Sequence, residues 1–101
     1  LRVLLKSAKG LPVADATGSS DPYCVLVPIR RDNTKVCGKA TSSIRSKTVD
    51  PIWEQTFEFK GEDLQGVLIT VVDHDYASAD DVLGRVFCPL AEFGEWDRPN
   101  L

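Results

Sequence analysis

A chain of 101 residues has room for one domain and one core, which excludes a multidomain enzyme. Its 43% hydrophobic and 27% charged residues are those of a soluble globular fold and exclude disorder, and its longest apolar run, Val67–Val72, is broken by Thr70, far short of the ~18 residues of a membrane-spanning helix. The net charge of −3 argues against nucleic acid as a partner, yet it hides a separation: six basic residues and one acid lie between Arg30 and Lys47, and four aspartates with no base lie between Asp73 and Asp81.

The chain opens in strand-like alternation, and Leu1–Lys6 reads as a strand ending near Gly10-Leu11-Pro12. A loop rich in Asp, Gly and Ser, Asp15 to Asp21, leads into a second strand, Pro22–Ile29, whose Pro28 argues for a sheet edge or bulge at its far end. A polar span with Asn33, Gly38 and a Ser/Thr cluster follows, and then Ile44–Thr48 reads as a short strand. Trp53–Lys60 alternates, with Trp53, Phe57 and Phe59 marking the buried face. Val67–Val72 is expected to be a central strand; the loop Asp73 to Asp81 follows it, then a strand over Val82–Pro89 and an irregular tail, Glu92–Leu101. Strands at this spacing without βαβ alternation predict an antiparallel sandwich or barrel. The start at Leu1, without an initiator methionine, suggests a single domain over residues 1–101, excised from a longer parent protein. Cys24 and Cys88 fall in apolar strands and Cys37 in a polar span, with no CxxC spacing, a usage that fits core packing in a reducing, cytoplasmic setting.

The chemistry is concentrated in the two aspartate loops. Side chains alternate along a strand, so Asp73 and Asp75 share a direction while His74 points the other way. Six aspartates gathered at one end of a sandwich repel one another unless a cation sits among them. Calcium, with 6–8 oxygen ligands in loose geometry, matches that donor set; zinc would want Cys or His, and magnesium a tighter octahedron. An EF-hand is excluded directly: counting from Asp73, the sixth position is Ser78 and the twelfth is Gly84, where Gly and Glu are needed. The Asp73-His74-Asp75 triplet also matches the DxD of sugar-nucleotide transferases, but the nucleotide-binding α/β pattern it requires is missing.

Three stretches in order, GLPVADATGSSDPY, SKTVDPIWEQTFEF and VVDHDYASADDVLG, closely resemble the C2 domain, the calcium- and phospholipid-binding module of synaptotagmins and conventional protein kinase C. The resemblance runs from Leu1 to about Leu90. It implies an all-β fold, an eight-stranded antiparallel Greek-key sandwich with calcium-binding loops at one end. It carries the family's five aspartate ligands onto Asp15, Asp21, Asp73, Asp75 and Asp81, with Ser78 as a sixth ligand and two or three Ca²⁺ ions. The carbonyls of Ala14 and His74 are further donors by the same resemblance, whereas Asp80 stands beside the pattern and adds negative potential. Lys35, Lys39, Arg45 and Lys47 fall where relatives bind phosphoinositide headgroups. Ala16, Tyr76 and Ala77 fall at the membrane-facing loop tips, where their small apolar area makes attachment chiefly electrostatic. The resemblance therefore implies a non-enzymatic module that binds anionic phospholipid, phosphatidylserine and phosphoinositides included, as a peripheral protein of the cytoplasmic face. The alternative is a calcium-independent protein-interaction domain that contacts partners of the parent protein.

Overall fold

The computed structural model describes residues 1–12, 20–34, 38–61 and 63–90. They form six strands: β1 (Arg2–Ser7), β2 (Pro22–Arg30), β3 (Ala40–Thr41), β4 (Ile52–Glu58), β5 (Leu64–Asp73) and β6 (Asp81–Pro89). Two antiparallel sheets result, one of order β1-β4 and one of order β3-β2-β5-β6. The expected all-β antiparallel architecture is present, with six strands instead of eight among the described residues.

The larger sheet follows from sequence period. Along β2, Pro22, Cys24, Leu26 and Pro28 are buried while Tyr23, Val25, Val27 and Ile29 are half-buried. Cross-strand neighbours share a face, so the pairings of Leu26 with Ile69 and of Pro28 with Val67 stack the core in rows, closed by Val3, Leu5, Trp53 and Phe59 from the smaller sheet. Burial pushes the Cys24 thiol up to about 12, so that it serves as a small apolar filler. Pro28 sits beyond the two residues of β2 that β3 covers, Val25 and Leu26, where no ladder donor is missed, and the register slips just after it between Ile29 and Arg30. Gly66 leaves room for its neighbours on β6: a Cβ there would clash with the Phe87 ring and the Cys88 carbonyl oxygen. Val86, opposite Ile69, stays 41% exposed on the core-facing side of β6.

The strand expected over Ile44–Thr48 is not one. Ser42, Arg45 and Thr48 donate their backbone N–H groups to the carbonyls of Cys24, Pro22 and Ser20, at 2.9, 2.9 and 2.8 Å. Steps of three residues against steps of two build no ladder. The segment 42–51 instead bridges the sheets. The Arg45 guanidinium donates to the carbonyls of Ile52 and Trp53 (2.8 and 3.4 Å), the Trp53 indole N–H to that of Ser43 (2.9 Å), and the N–H of Ala8 to that of Pro51 (3.0 Å). The short strand lies earlier, at Ala40–Thr41.

Candidate metal centre

β2 begins and β5 ends at the same pole. The last rungs of the ladder pair Asp73 with Pro22 on one side and with Asp81 on the other. The junction is fastened twice, because Asp21 donates its N–H to Asp73 Oδ1 (2.7 Å) and His74 donates its N–H to the Asp21 carbonyl (3.0 Å). Asp73 is only 5% exposed, and among the described residues no basic side chain pairs with it. Such a buried carboxylate calls for compensation. Asp21 Oδ1 accepts the backbone N–H of Lys47 at 2.7 Å, so segment 42–51 is moored to the same carboxylate cluster.

Asp75 is turned to its own loop. Its Oδ1 accepts the N–H groups of Ala77 (2.8 Å) and Ser78 (3.2 Å), and its Oδ2 accepts the Ser78 hydroxyl (2.8 Å). The Ala77 N–H foremost, then the Ser78 hydroxyl, hold the Asp75 carboxyl below the usual carboxylate range. Asp80 is engaged on the other side. It accepts from the Asp75 N–H (3.0 Å) and the Tyr23 hydroxyl (2.5 Å), with His74 Nδ1 at 3.3 Å from Oδ1. The same two bonds lower its own carboxyl, the Asp75 N–H foremost, and the bond to Asp80 raises the Tyr23 phenol to about 12. His74 stands edge-on to Tyr76, with centroids 4.4 Å apart, and lies 6.3 Å from the Tyr23 ring, on the Asp80 side and away from Asp73 as strand parity requires.

Asp21, Asp73 and Asp81 thus adjoin at one pole, with Asp75 and Ser78 on the loop beside them, yet among the described residues no three His, Cys, Asp or Glu side chains close around a single point. Asp15 and Ala16 of the first loop, and Lys35, lie outside the described residues. Tyr76, 77% exposed, and Ala77 are at the loop tip. The basic candidates are divided: Lys39 is exposed just before β3, Lys47 lies at the carboxylate pole, and Arg45 commits donors to β4. Arg30 and Arg31 lie at the opposite pole, lining a groove with Asp32 and Asp63. Sequence reasoning misses the role of Asp80 as acceptor for Tyr23. The available signal is parity, which puts Tyr23 and His74 on the side away from Asp73.

The profile of the C2 domain matches residues 1–100. Over 91 residues the chain is 38% identical to multiple C2 and transmembrane domain-containing protein 1 of Rattus norvegicus, covering 89% of this chain and 9% of that protein. The chain therefore spans about a tenth of the length of that curated relative. Among solved structures, the A-type C2 domain of RIM from Drosophila is 27% identical with a TM-score of 0.74, covering 89% of this chain and 74% of that one. The pair of C2 domains, A and B, of extended synaptotagmin 2, solved with calcium bound, share the fold at a TM-score of 0.72 and 21% identity, over 93% of this chain and 35% of that one.

Proposed function

The chain belongs to the C2 domain family, and from that premise we propose that it attaches its parent protein to anionic phospholipid, from the cytoplasmic side and without catalysis, when calcium is bound. The observation that carries this reading is Asp73: a buried carboxylate at the end of the central strand, opposite Asp81, bonded to Asp21, and lacking a basic partner among the described residues. The donor set suits calcium, since the side chains at this pole offer oxygen while His74, the loop's one nitrogen ligand, is turned to Asp80.

Calcium, when bound, supplies positive charge and coordination positions open to lipid phosphate and carboxylate oxygens. The chain does the rest. Asp21 and Asp73 hold each other at the junction of β2 and β5, and Asp81 adjoins them through the ladder. Asp75 reaches a shared ion only by loosening its bonds to Ala77 and Ser78, and Ser78 Oγ becomes available by the same movement. Formal net charge passes from −3 to +1 with two divalent ions bound, so repulsion from anionic lipid becomes attraction. Lys47, exposed at the same pole, adds to it, while Tyr76 and Ala77 bury little apolar area and leave the attachment salt-sensitive.

Co-sedimentation with phosphatidylserine liposomes tests the reading: binding is expected with Ca²⁺, not with chelator, and is abolished in the Asp73→Asn, Asp75→Asn double variant. Equal sedimentation of the double variant and the parent sinks it. Calcium at a hundred times its dissociation constant should also stabilise the fold by ~2.7 kcal/mol. The closed Asp75 turn, in which both carboxylate oxygens are engaged by the loop itself, favours a second reading as a calcium-independent protein-interaction domain. A melting curve indifferent to millimolar Ca²⁺ selects that one.

A further inference from the structure

We propose that Asp80 is a positioning residue that fixes the backbone of loop 74–80 beside Asp73 and Asp81, so that Asp75 joins them on a cation by turning its side chain alone, working through Tyr23 and the Asp75 amide and not as a ligand. The inference rests on the calcium reading above.

Adjacent aspartates at the start of β6 face opposite ways. Asp81 opposes Asp73 in the ladder, on the metal side. Asp80, one residue earlier, has both oxygens engaged on the other side, Oδ2 by the Tyr23 hydroxyl at 2.5 Å and Oδ1 by the Asp75 N–H at 3.0 Å, with His74 Nδ1 within 3.4 Å of either. One carboxylate therefore clips the end of the loop to its beginning and both to β2. Tyr23 is a firm anchor because it lies in the ladder opposite Val72, two residues after Asp21. The loop's other bonds are internal to it, the Asp75 turn and the His74–Tyr76 contact; residues 76–80 are exposed and none belongs to the core. Bonds on Asp80 thus set where Asp75 stands relative to Asp73 and Asp81. Removing the hydrogen-bond partners that orient metal ligands typically costs about 10- to 100-fold in affinity.

Four proteins test this: the parent, Asp80→Asn, Asp80→Ala and Tyr23→Phe. The two Asp80 variants lose the same charge, and only Asn keeps an acceptor for the Asp75 amide, its Nδ2–H then donating to the Tyr23 hydroxyl oxygen, which turns from donor to acceptor. Calcium titration calorimetry should show Asp80→Ala weakened by about 10- to 100-fold, Asp80→Asn recovering most of that loss, and Tyr23→Phe in between. Adding Tyr23→Phe to Asp80→Ala should change nothing further. In metal-free protein the Asp75 amide should exchange faster in Asp80→Ala and at the parent's rate in Asp80→Asn. Equal weakening by Asn and Ala would overturn the proposal, because Asp80 would then act through its charge or as a ligand. An unchanged Asp75 exchange rate in Asp80→Ala would overturn it as well. Should the parent itself bind no calcium, the calcium reading falls, and the exchange comparison still decides whether Asp80 orders the loop.

Discussion

Two stretches meet at the carboxylate pole, the sheet-bridging residues 42–51 and the aspartate-bearing residues 74–80. Apart from the Lys47 N–H on the Asp21 carboxylate, the first is held largely by neutral groups: its N–H groups reach the carbonyls of Cys24, Pro22 and Ser20, and buried Pro51 and Trp53 close it against the core. The second is held by side-chain carboxylates, with the bonds from Asp75, Ala77 and Ser78 all ending on Asp75 or Asp80. Bonds between neutral groups do not change with protonation below neutral pH. Bonds to ionised oxygens do, and a cation competes for the same lone pairs. One side of the pole is thereby a fixed frame, and the other a part whose shape can be retuned without disturbing the fold.

The contrast breaks most severely if the frame is removed. Trp53→Ala should cost about 3–5 kcal/mol, read from urea unfolding, since it empties a buried site and leaves the Ser43 carbonyl with the Ser42 hydroxyl alone. A cost under about 1 kcal/mol, the worth of one ordinary hydrogen bond, would mean that the segment is not anchored through this indole. A smaller effect separates two cations of the basic stretch. Arg45→Met should lose about 1–2 kcal/mol through its bonds to Ile52 and Trp53 and leave liposome binding of the folded protein unchanged. Lys47→Ala should do the reverse, keeping stability and weakening attachment by ~1 kcal/mol. If Arg45→Met instead weakens sedimentation at full stability, Arg45 belongs to the membrane surface.

The smallest effect is local and pH-driven. The Asp75 and Asp80 carboxyls are held below the usual range by the N–H groups of Ala77 and Asp75 respectively. Depressed values mean that their contribution is complete above the ordinary carboxylate pKa, about 4, and is lost as pH falls through the depressed ones. Amides 75, 77 and 78 should therefore lose exchange protection on acidification before those of Arg45 and Thr48. Loosening of both groups at one pH would show that the pole responds as a unit.

What is readable from the sequence follows the range of the interactions. β2 and β5 are plain because alternation and an apolar run interrupted only by Thr70 are local signals, and Asp73, Asp75 and Asp81 stand out by their clustering and by the resemblance to the family's motif. Ile44–Thr48 misleads because its composition is that of a strand while its bonds run to β2 at the wrong step, with Lys47 at a φ of 52° in the left-handed region. Asp80 shows in the sequence only as added charge, because its role depends on a phenol 57 residues away. Asp75 reads as a ligand from its position; that its carboxylate first closes a turn on Ala77 and Ser78 is a property of the folded loop.

The fastening of Asp73 to Asp21 ties two histories together. The oxygen that accepts the Asp21 N–H continues the pairing of β2 with β5 past its last backbone rung. Mutational drift at this position is therefore filtered twice, once for a charge and once for an acceptor. A descendant of this domain that had abandoned metal would be free to shed the charge but not the oxygen, so Asn is the open exit and Ala or Val a closed one. On the calcium reading proposed above, calcium dependence can be lost by a single conservative substitution, with the sandwich left standing to serve another partner.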